Sequence, residues 1–207
     1  ETIIMSDIKK AKYAFFNLHG LPDTSEWYGQ RDVSDANNGV DYPVAISATN
    51  IASAEEFKPV VFTEACYGGQ IENKSINESV ALTLMDSGVP ALIASTGIAY
   101  GSITTPLIGA DLLAFIFWKY MREGYSAGES LLKAKEGFVK IMHERQGFLD
   151  GEDQKTLISF VLYGDPLFSF NKAKLKLVIE KQNVDSKSTK LVNDKDGYKK
   201  SSNEIYS

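Results

Sequence analysis

Three short, almost continuously apolar runs constrain most strongly how this chain can fold. They cover residues 13–18 (YAFFNL), 59–63 (PVVFT) and 89–95 (VPALIAS). Each run is short for a helix, and an apolar run of this length without polar alternation is typical of a strand buried on both faces, as in a parallel sheet. We therefore expect three buried strands, the first of which ends directly before His19.

Helical patterns separate or follow these runs. Ser75 and Glu78 have the spacing of a capping box before a helix over 79–87, and Ser126 and Glu129 have it before a helix that ends near Gly147. A third helix is predicted over 107–123. Strands that alternate with helices predict an α/β protein, namely a three-layer α/β/α sandwich with a mostly parallel sheet.

The pattern divides the chain into one large domain over 1–170 and a remainder over 171–207. In the remainder, residues 174–180 (KLKLVIE) alternate like an edge strand, and the rest reads as a polar tail or linker. The other predictions are the end of a surface helix over 6–12, a loop-like stretch over 21–50 with a short strand at 43–48, and a further apolar segment over 157–163.

Composition excludes several classes of function. A formal charge of −5 over 207 residues argues against a nucleic-acid-binding protein, because such proteins have basic surfaces. Cys66 is the only cysteine and there are two histidines, so an intrachain disulfide, a multi-cysteine zinc site and a three-histidine metal site are all excluded. The densest apolar run, over 112–118, is far shorter than the roughly 20 residues of a membrane span, so none is expected.

Two of the predicted strands end near residues with useful chemistry. His19 directly follows the first strand, and Cys66 lies just beyond the second. The carboxyl ends of parallel strands form the edge where ligands bind in such sheets. A thiolate there is a nucleophile, and a nearby imidazole can transfer protons. We expect the turn after Cys66, with sequence YGG, to be flexible and to leave backbone N–H groups free for an oxyanion.

Residues 17–20 (NLHG) and 63–69 (TEACYGG) together resemble the histidine and cysteine blocks of the caspase-like (clan CD) cysteine peptidases. The histidine precedes the cysteine by 47 residues, an order that is similar to that clan and opposite to papain's. The EAC of the second block is similar to the legumain block, and residues 164–167 (GDPL) resemble the block that closes the gingipain catalytic domain.

This resemblance implies a caspase-like catalytic domain over 1–170 that hydrolyses peptide or protein substrates. Cys66 would be the nucleophile that forms a thioester acyl-enzyme, and His19 would be the general acid and base. The backbone N–H groups of Gly20 and Cys66 would bind the oxyanion. No cofactor or metal is needed for this chemistry, and a structural calcium ion, which gingipain relatives contain, is compatible with it.

The resemblance also implies a substrate pocket whose walls come partly from the loop over 95–105. Asp111 would supply a negative charge for an arginine or lysine of the substrate, although an acid in the first turn of a helix is also a common stabilising feature. The candidate pocket residues are Glu64, Tyr67, Ser95, Thr96, Tyr100 and Asp111.

Two other functions fit parts of the sequence. Residues 66–70 (CYGGQ) are similar to the nucleophile elbow of class I glutamine amidotransferases, and His143 and Glu144 follow downstream. That elbow requires glycine two residues before the cysteine, where Glu64 stands, and that family's downstream block has a proline between its histidine and glutamate. The second alternative is a caspase-like scaffold that binds partners without cutting them, against which the intact Cys66 and His19 pair argues.

The final expectation concerns the start of the chain. The caspase-like domains that it resembles begin with a strand–helix–strand segment ahead of the histidine strand, whereas 18 residues precede His19 here and the first is not methionine. We expect an N-terminal companion fragment, or a segment of the same precursor, to supply the missing strands after proteolytic processing. The alternative is a minimal fold that closes its own sheet edge. An extracellular or cell-surface location is expected.

Overall fold

Two sheets and five helices position the residues of interest. In the computed structural model, residues 11–32, 34, 39–52, 58–102 and 104–170 are described. The strands are β1 (Tyr13–Phe16), β2 (His19–Gly20), β3 (Glu26–Tyr28), β4 (Val44–Ser47), β5 (Val60–Thr63), β6 (Ala91–Ser95) and β7 (Phe160–Gly164). The helices are α1 (Ala48–Ala52), α2 (Val80–Asp86), α3 (Gly109–Arg122), α4 (Ala127–Gln146) and α5 (Gly151–Ser159).

Some predictions concern residues outside these ranges. The predicted edge strand over 174–180 and the rest of the segment 171–207 lie outside the described residues, as does most of the predicted helix over 6–12. The last two residues of that helix are described, and neither Ala11 nor Lys12 is helical.

The central sheet has the strand order β1-β5-β6-β7. β1 pairs in parallel with β5, and β5 pairs in parallel with β6, whereas β7 is antiparallel to β6. Every residue of β5 and β6 is buried, as their unbroken apolar sequences predict. The predicted mostly parallel sheet is confirmed.

The two faces of this sheet pack against different helices. Phe62 points to the face covered by α3 and α4, where its ring centroid lies 5.4 Å from that of Phe117. Val61 points to the opposite face, in a cluster with Ile51 of α1 and Leu84 of α2. Because successive side chains of a strand alternate between faces, one short apolar strand supports both cores. The α/β architecture with helices on both faces is therefore confirmed.

β1 differs from its prediction. Its residues alternate between exposed and buried, with Phe15 48% exposed and Tyr13 38% exposed, so the prediction that both of its faces are buried is wrong. The physical reason is that Tyr13 and Phe15 line an open cavity next to α3 and are not packed under that helix. β1 is also one of the two outer strands of the sheet, and no described strand pairs with its outer edge. This is the edge to which the expected companion segment would add, and that expectation stays a prediction.

A second, three-stranded antiparallel sheet has the order β2-β3-β4. The predicted strand over 43–48 is confirmed as β4, but β3 lies in a stretch that was predicted as loop. β3 has three residues, of which only Trp27 is buried, 5.8 Å from the ring of Phe16. One buried aromatic residue produces no readable alternation, which explains why the strand escapes prediction.

The helix ends follow their capping residues in part. α4 has the predicted capping box of Ser126 and Glu129 and ends at Gly147 with a φ of +82°. The box formed by Ser75 and Glu78 opens a single 3-10 turn, Ile76–Glu78, and Ser79 is the residue that caps α2. The predicted capping box of Ser75 and Glu78 is therefore confirmed, but the prediction that it caps the following helix is wrong.

The segment predicted as one apolar run over 157–163 is the junction of α5 and β7. α5 escapes prediction because only Asp153 and Thr156 are buried in it, so that it lacks an apolar stripe. Its start is fixed by Asp150, whose carboxylate accepts the N–H groups of Glu152 and Asp153 at 2.9 Å each.

Among the helices that the structure describes, none is both long enough and apolar enough to cross a bilayer.

Candidate active site

The carboxyl ends of β1 and β5 are joined by hydrogen bonds beyond the last paired residues. The N–H of Glu64 donates to the carbonyl of Phe16 at 2.9 Å, and the Thr63 hydroxyl donates to the same carbonyl at 3.3 Å. The Thr63 hydroxyl also accepts the N–H of Ala65 at 3.1 Å. The Phe16 carbonyl therefore holds two segments together at their starts. One leads from β1 to His19, and the other leads from β5 to Cys66.

Gly20 brings these two segments into direct contact. A Cβ atom at Gly20 would overlap the carbonyl oxygen of Cys66 and lie 3.1 Å from the Cβ of Ala65. Only a residue without a side chain allows the backbone after His19 to approach the segment of Cys66 this closely. The predicted meeting of the two segments at one sheet edge is thus present in the backbone.

The turn after Cys66 is firmly held, so the expectation of a flexible turn with free N–H groups is wrong. Backbone hydrogen bonds fix the conformation of this turn. The N–H groups of the three following residues all donate to backbone carbonyls, with Tyr67 bonded to Gly97 at 2.7 Å, Gly68 to Ala65 at 2.9 Å and Gly69 to Ser95 at 2.8 Å.

Two further features define this turn. Tyr67 has a φ of +56°, a left-handed conformation that is uncommon outside glycine. The hydroxyl of Tyr163 in β7 donates to the Gly69 carbonyl at 2.5 Å. Among the described residues, no backbone oxygen accepts the N–H of Cys66 itself, which leaves this donor of the turn available to a ligand.

The thiol of Cys66 and the imidazole of His19 have separate partners in this structure. The thiol is half-buried, donates to the Ala99 carbonyl at 3.7 Å and accepts the Ala99 N–H at 3.4 Å. His19 is exposed, with its Nε2 atom 3.3 Å from Oε1 of Gln30. The thiol therefore faces the loop after β6, and the imidazole is held from the side of the small sheet.

Gln30 and Tyr42 are two contacts of His19 that the sequence did not reveal. With Gln30 Oε1 as the acceptor, the proton of a neutral imidazole is on Nε2, and Nδ1 is left as the basic nitrogen. The Tyr42 ring lies edge-on to the imidazole with centroids 5.1 Å apart. Neither residue lies in a motif, and their distance along the chain from His19 hides the contact.

Glu64 and Asp111 form a carboxyl pair in a cavity of about 570 Å³. Glu64 is 8% exposed, and its Oε1 atom is buried without a protein hydrogen-bond partner. Burial, the negative charge of Asp111 and hydrogen bonding between the two carboxyl groups raise the pKa of Glu64 to about 8. At neutral pH the Glu64 carboxyl is therefore largely protonated. The Asp111 carboxylate also accepts the N–H of Ser102 at 2.6 Å.

The rest of this cavity is mostly apolar. It opens along β1 and α3, and Arg122 lies at its rim. The described side chains that line it, besides the carboxyl pair, are Tyr13, Phe15, Leu107, Ala114, Phe115, Trp118 and Arg122.

The other predicted pocket residues have different surroundings and do not line this cavity. The buried Ser95 hydroxyl donates to Gly97 and Ser159, each at 3.0 Å, and the Thr96 hydroxyl donates to the Ser159 carbonyl at 3.3 Å. The Tyr100 hydroxyl accepts from Lys155 at 3.2 Å. These contacts join the loop after β6 to α5. Tyr67 belongs to the hydrogen-bonded turn that follows Cys66.

A second cleft, of about 380 Å³, lies beside His19. Gly20, Leu21, Tyr28 and Tyr42 line it together with the imidazole. Its walls come from the β2–β3–β4 sheet and the chain next to it, so it shares no described lining residue with the carboxyl cavity.

His143, the other histidine, is on the exposed side of α4. The described residues include no group of three or more histidine, cysteine, aspartate or glutamate side chains able to hold a metal ion.

Comparison with protein-family models finds a match to peptidase family C25 over residues 11–171. A search of curated proteins finds no significant match.

Replacing Gly20 with alanine tests the close approach of the two segments. We expect Gly20→Ala to lower the free energy of unfolding by about 1–3 kcal/mol, because the added methyl group meets backbone that cannot rotate away. Gly151→Ala is the matched control, since a Cβ there meets nothing within 4 Å. Urea denaturation of both variants measures the difference, and equal stabilities would contradict the contact.

The raised pKa of Glu64 predicts a pH-dependent stability. A carboxyl whose pKa rises on folding, from the ordinary 4.5 to about 8, makes the folded protein bind more protons than the unfolded chain between these values. Stability from this group therefore falls as the pH rises through that window, by about 1.4 kcal/mol for each pKa unit at most.

We expect Glu64→Gln to lose this component, since its amide does not titrate. Denaturant unfolding of both proteins at a series of pH values gives the difference in stability. That difference should shift in favour of the variant between about pH 5 and 8. Parallel curves would show that Glu64 titrates normally.

Proposed function

Since this chain belongs to peptidase family C25, the gingipain family of clan CD cysteine peptidases, we propose that it hydrolyses peptide bonds with Cys66 as nucleophile and His19 as general acid and base. The observation that supports this assignment best is the contact of Gly20 with the Cys66 carbonyl. It brings the residue after the histidine onto the backbone of the only cysteine in the sequence.

In the first step the basic nitrogen of His19 takes the proton of the Cys66 thiol, and the sulfur attacks the carbonyl carbon of the scissile bond. The carbonyl oxygen becomes an oxyanion, which the N–H groups of Cys66 and Gly20 stabilise as donors placed before the reaction. The available N–H of Cys66 supports its part in this role. The thiol is half-buried, and its contacts with the carbonyl and the N–H of Ala99 fix the position of the sulfur.

His19 then gives this proton to the departing amine, so that a neutral amine leaves and a thioester remains on Cys66. In the second step His19 takes a proton from water, whose oxygen attacks the thioester carbon. The bond between that carbon and the sulfur breaks, the carboxylic acid product leaves, and His19 returns the proton to the sulfur. Because Gln30 accepts the proton of Nε2, the nitrogen left for these proton transfers is Nδ1. We assign Gln30 as a positioning residue. The proposed steps use no cofactor.

The carboxyl cavity is the proposed pocket for the substrate residue that precedes the scissile bond. Its apolar walls suit the methylene stem of a long side chain, and the Glu64–Asp111 pair at its inner end suits a positive head group. Glu64 is buried and Asp111 half-buried, and a carboxyl pair that holds one proton has negative charge to offer. Among the described residues that line the cavity, Arg122 is the only cation, and its side chain is exposed. Arginine and lysine are therefore the proposed substrate residues.

The amidotransferase alternative would use His143 as the partner of Cys66. His143 lies on the exposed side of α4, a helix of the outer layer, whereas His19 precedes a glycine that touches Cys66. No observation favours the amidotransferase reaction over peptide hydrolysis. A non-catalytic scaffold would leave the half-buried thiol and the available Cys66 N–H without a purpose.

Loss of either proposed catalytic group should abolish hydrolysis while the fold is retained. We expect Cys66→Ala to be inactive and iodoacetamide to label Cys66 in the active wild type. His19→Ala should lose about 10²–10⁴ in rate, whereas His143→Ala, the matched control, should retain most of it. Release of a fluorescent amine from peptide amides measures the rates. Full activity of Cys66→Ala, or the reverse ranking of the histidines, would contradict the mechanism.

Substrate profiling tests whether the carboxyl cavity binds the residue that precedes the scissile bond. With peptides that differ only at the residue before the scissile bond, arginine and lysine should exceed glutamine and alanine in kcat/KM. Asp111→Asn should lower kcat/KM for the basic substrates by about 10- to 100-fold, since a charge-assisted contact is lost. Asp86→Asn on α2 removes an exposed carboxylate elsewhere and is the control. An unchanged preference in Asp111→Asn would exclude the pocket.

A further inference from the structure

The cleft beside His19 is separate from the carboxyl cavity, and large side chains with apolar surface are exposed in its walls. Leu21 and Tyr42 are each 56% exposed, although both are large side chains with apolar surface. Together with Tyr28 and the edge of the imidazole they enclose about 380 Å³. An open, largely apolar concavity of this size is typical of a ligand site.

The small sheet and α3, which supply most of the walls of the two clefts, pack on opposite faces of the central sheet. Trp27 and Ile46, of the small sheet that forms the cleft beside His19, pack in the same cluster as Val61. Asp111 is on α3, which packs against Phe62 on the other face. Cys66 follows β5, the strand that supports both cores, at the carboxyl edge of the sheet. A peptide that crosses this edge has one side of its scissile bond at each cleft.

The chemistry decides which side lies at which cleft. A general acid must come within hydrogen-bond reach of the leaving nitrogen, so the wall that contains the acid faces the leaving part of the substrate. His19 is itself a wall of the open cleft. The residue that follows the scissile bond therefore lies there, and the residue that precedes it lies in the carboxyl cavity.

We propose that the cleft formed by Leu21, Tyr28 and Tyr42 binds the side chain of the residue that follows the scissile bond and prefers a large apolar one, aromatic above all. The edge-on contact between His19 and Tyr42 shows that the wall already packs one flat ring. This inference rests on the proposed peptidase function and adds a second specificity site to it.

Capture of the acyl-enzyme by added amines probes this cleft separately from the first cleavage. In this reaction the amine nitrogen attacks the thioester carbon, and the bond between that carbon and the Cys66 sulfur breaks. His19 takes the proton that the amine loses, and the departing sulfur regains one to become the thiol again. A new peptide bond forms without any oxidation or reduction. The amine that fits the cleft best competes best with water.

The experiment uses the whole protein, a peptide coumarin amide that it cleaves, and the amides of phenylalanine, leucine, glycine and lysine as acceptors. The measured quantity is the ratio of acyl transfer to hydrolysis, obtained by mass spectrometry. We expect phenylalanine amide to be captured about tenfold better than glycine amide. Leu21→Ala and Tyr42→Ala should reduce this preference severalfold, and Leu132→Ala, which removes an exposed leucine from α4, should keep it.

Leu21→Glu provides a gain of function, because a carboxylate in the cleft should shift the preference from phenylalanine amide to lysine amide. Coumarin release with equal capture of phenylalanine and glycine amides would overturn the inference and leave the peptidase function intact. An unaltered preference in all three cleft variants would also overturn it. Absence of coumarin release from every peptide of a library would overturn the peptidase function, and this inference with it.

Discussion

The arrangement of the site depends on the contact between Gly20 and the backbone of Cys66. β1 and β5 are neighbouring parallel strands, and parallel pairing alone would bring their ends only to the ordinary spacing between strands. The missing side chain at Gly20 lets the chain after His19 close onto the carbonyl of the cysteine. The small sheet that begins at His19, the hold of Gln30 on the imidazole and the cleft beside it all follow from where that contact directs the chain.

The same edge of the sheet separates two chemically different concavities. The one toward α3 contains paired carboxyl groups, with Glu64 protonated because burial and Asp111 both oppose its ionisation. The one toward the small sheet is lined by aromatic and aliphatic side chains. Two fully buried strands make this possible, because alternate side chains of β5 support separate cores on the two faces. Cys66 follows β5 at this edge of the sheet.

The sequence predicted what is encoded in strong local patterns. The buried strands β5 and β6, the helix between Ser126 and Gly147 and the meeting of the His19 and Cys66 segments all follow from apolar runs, capping residues and strand ends. The prediction failed for features that depend on contacts with residues distant in the sequence. Phe15 is apolar yet exposed because it lines an open cavity beside α3, and two hydrogen bonds of the turn after Cys66 depend on the carbonyls of Ser95 and Gly97. The contact of Gln30 with His19 has no local pattern at all.

The hydrogen-bonded turn after Cys66, residues 67–69, affects the energetics of ligand binding. A loop that must be ordered around a ligand loses conformational entropy at that moment, and the loss weakens the affinity. Here Tyr67, Gly68 and Gly69 are fixed by backbone bonds, and the Tyr163 hydroxyl holds the turn from β7. The entropy of this turn is lost when the protein folds. In the proposed mechanism, favourable contacts with an incoming peptide then act on the scissile bond, because the turn that follows the proposed nucleophile is already ordered when the peptide arrives.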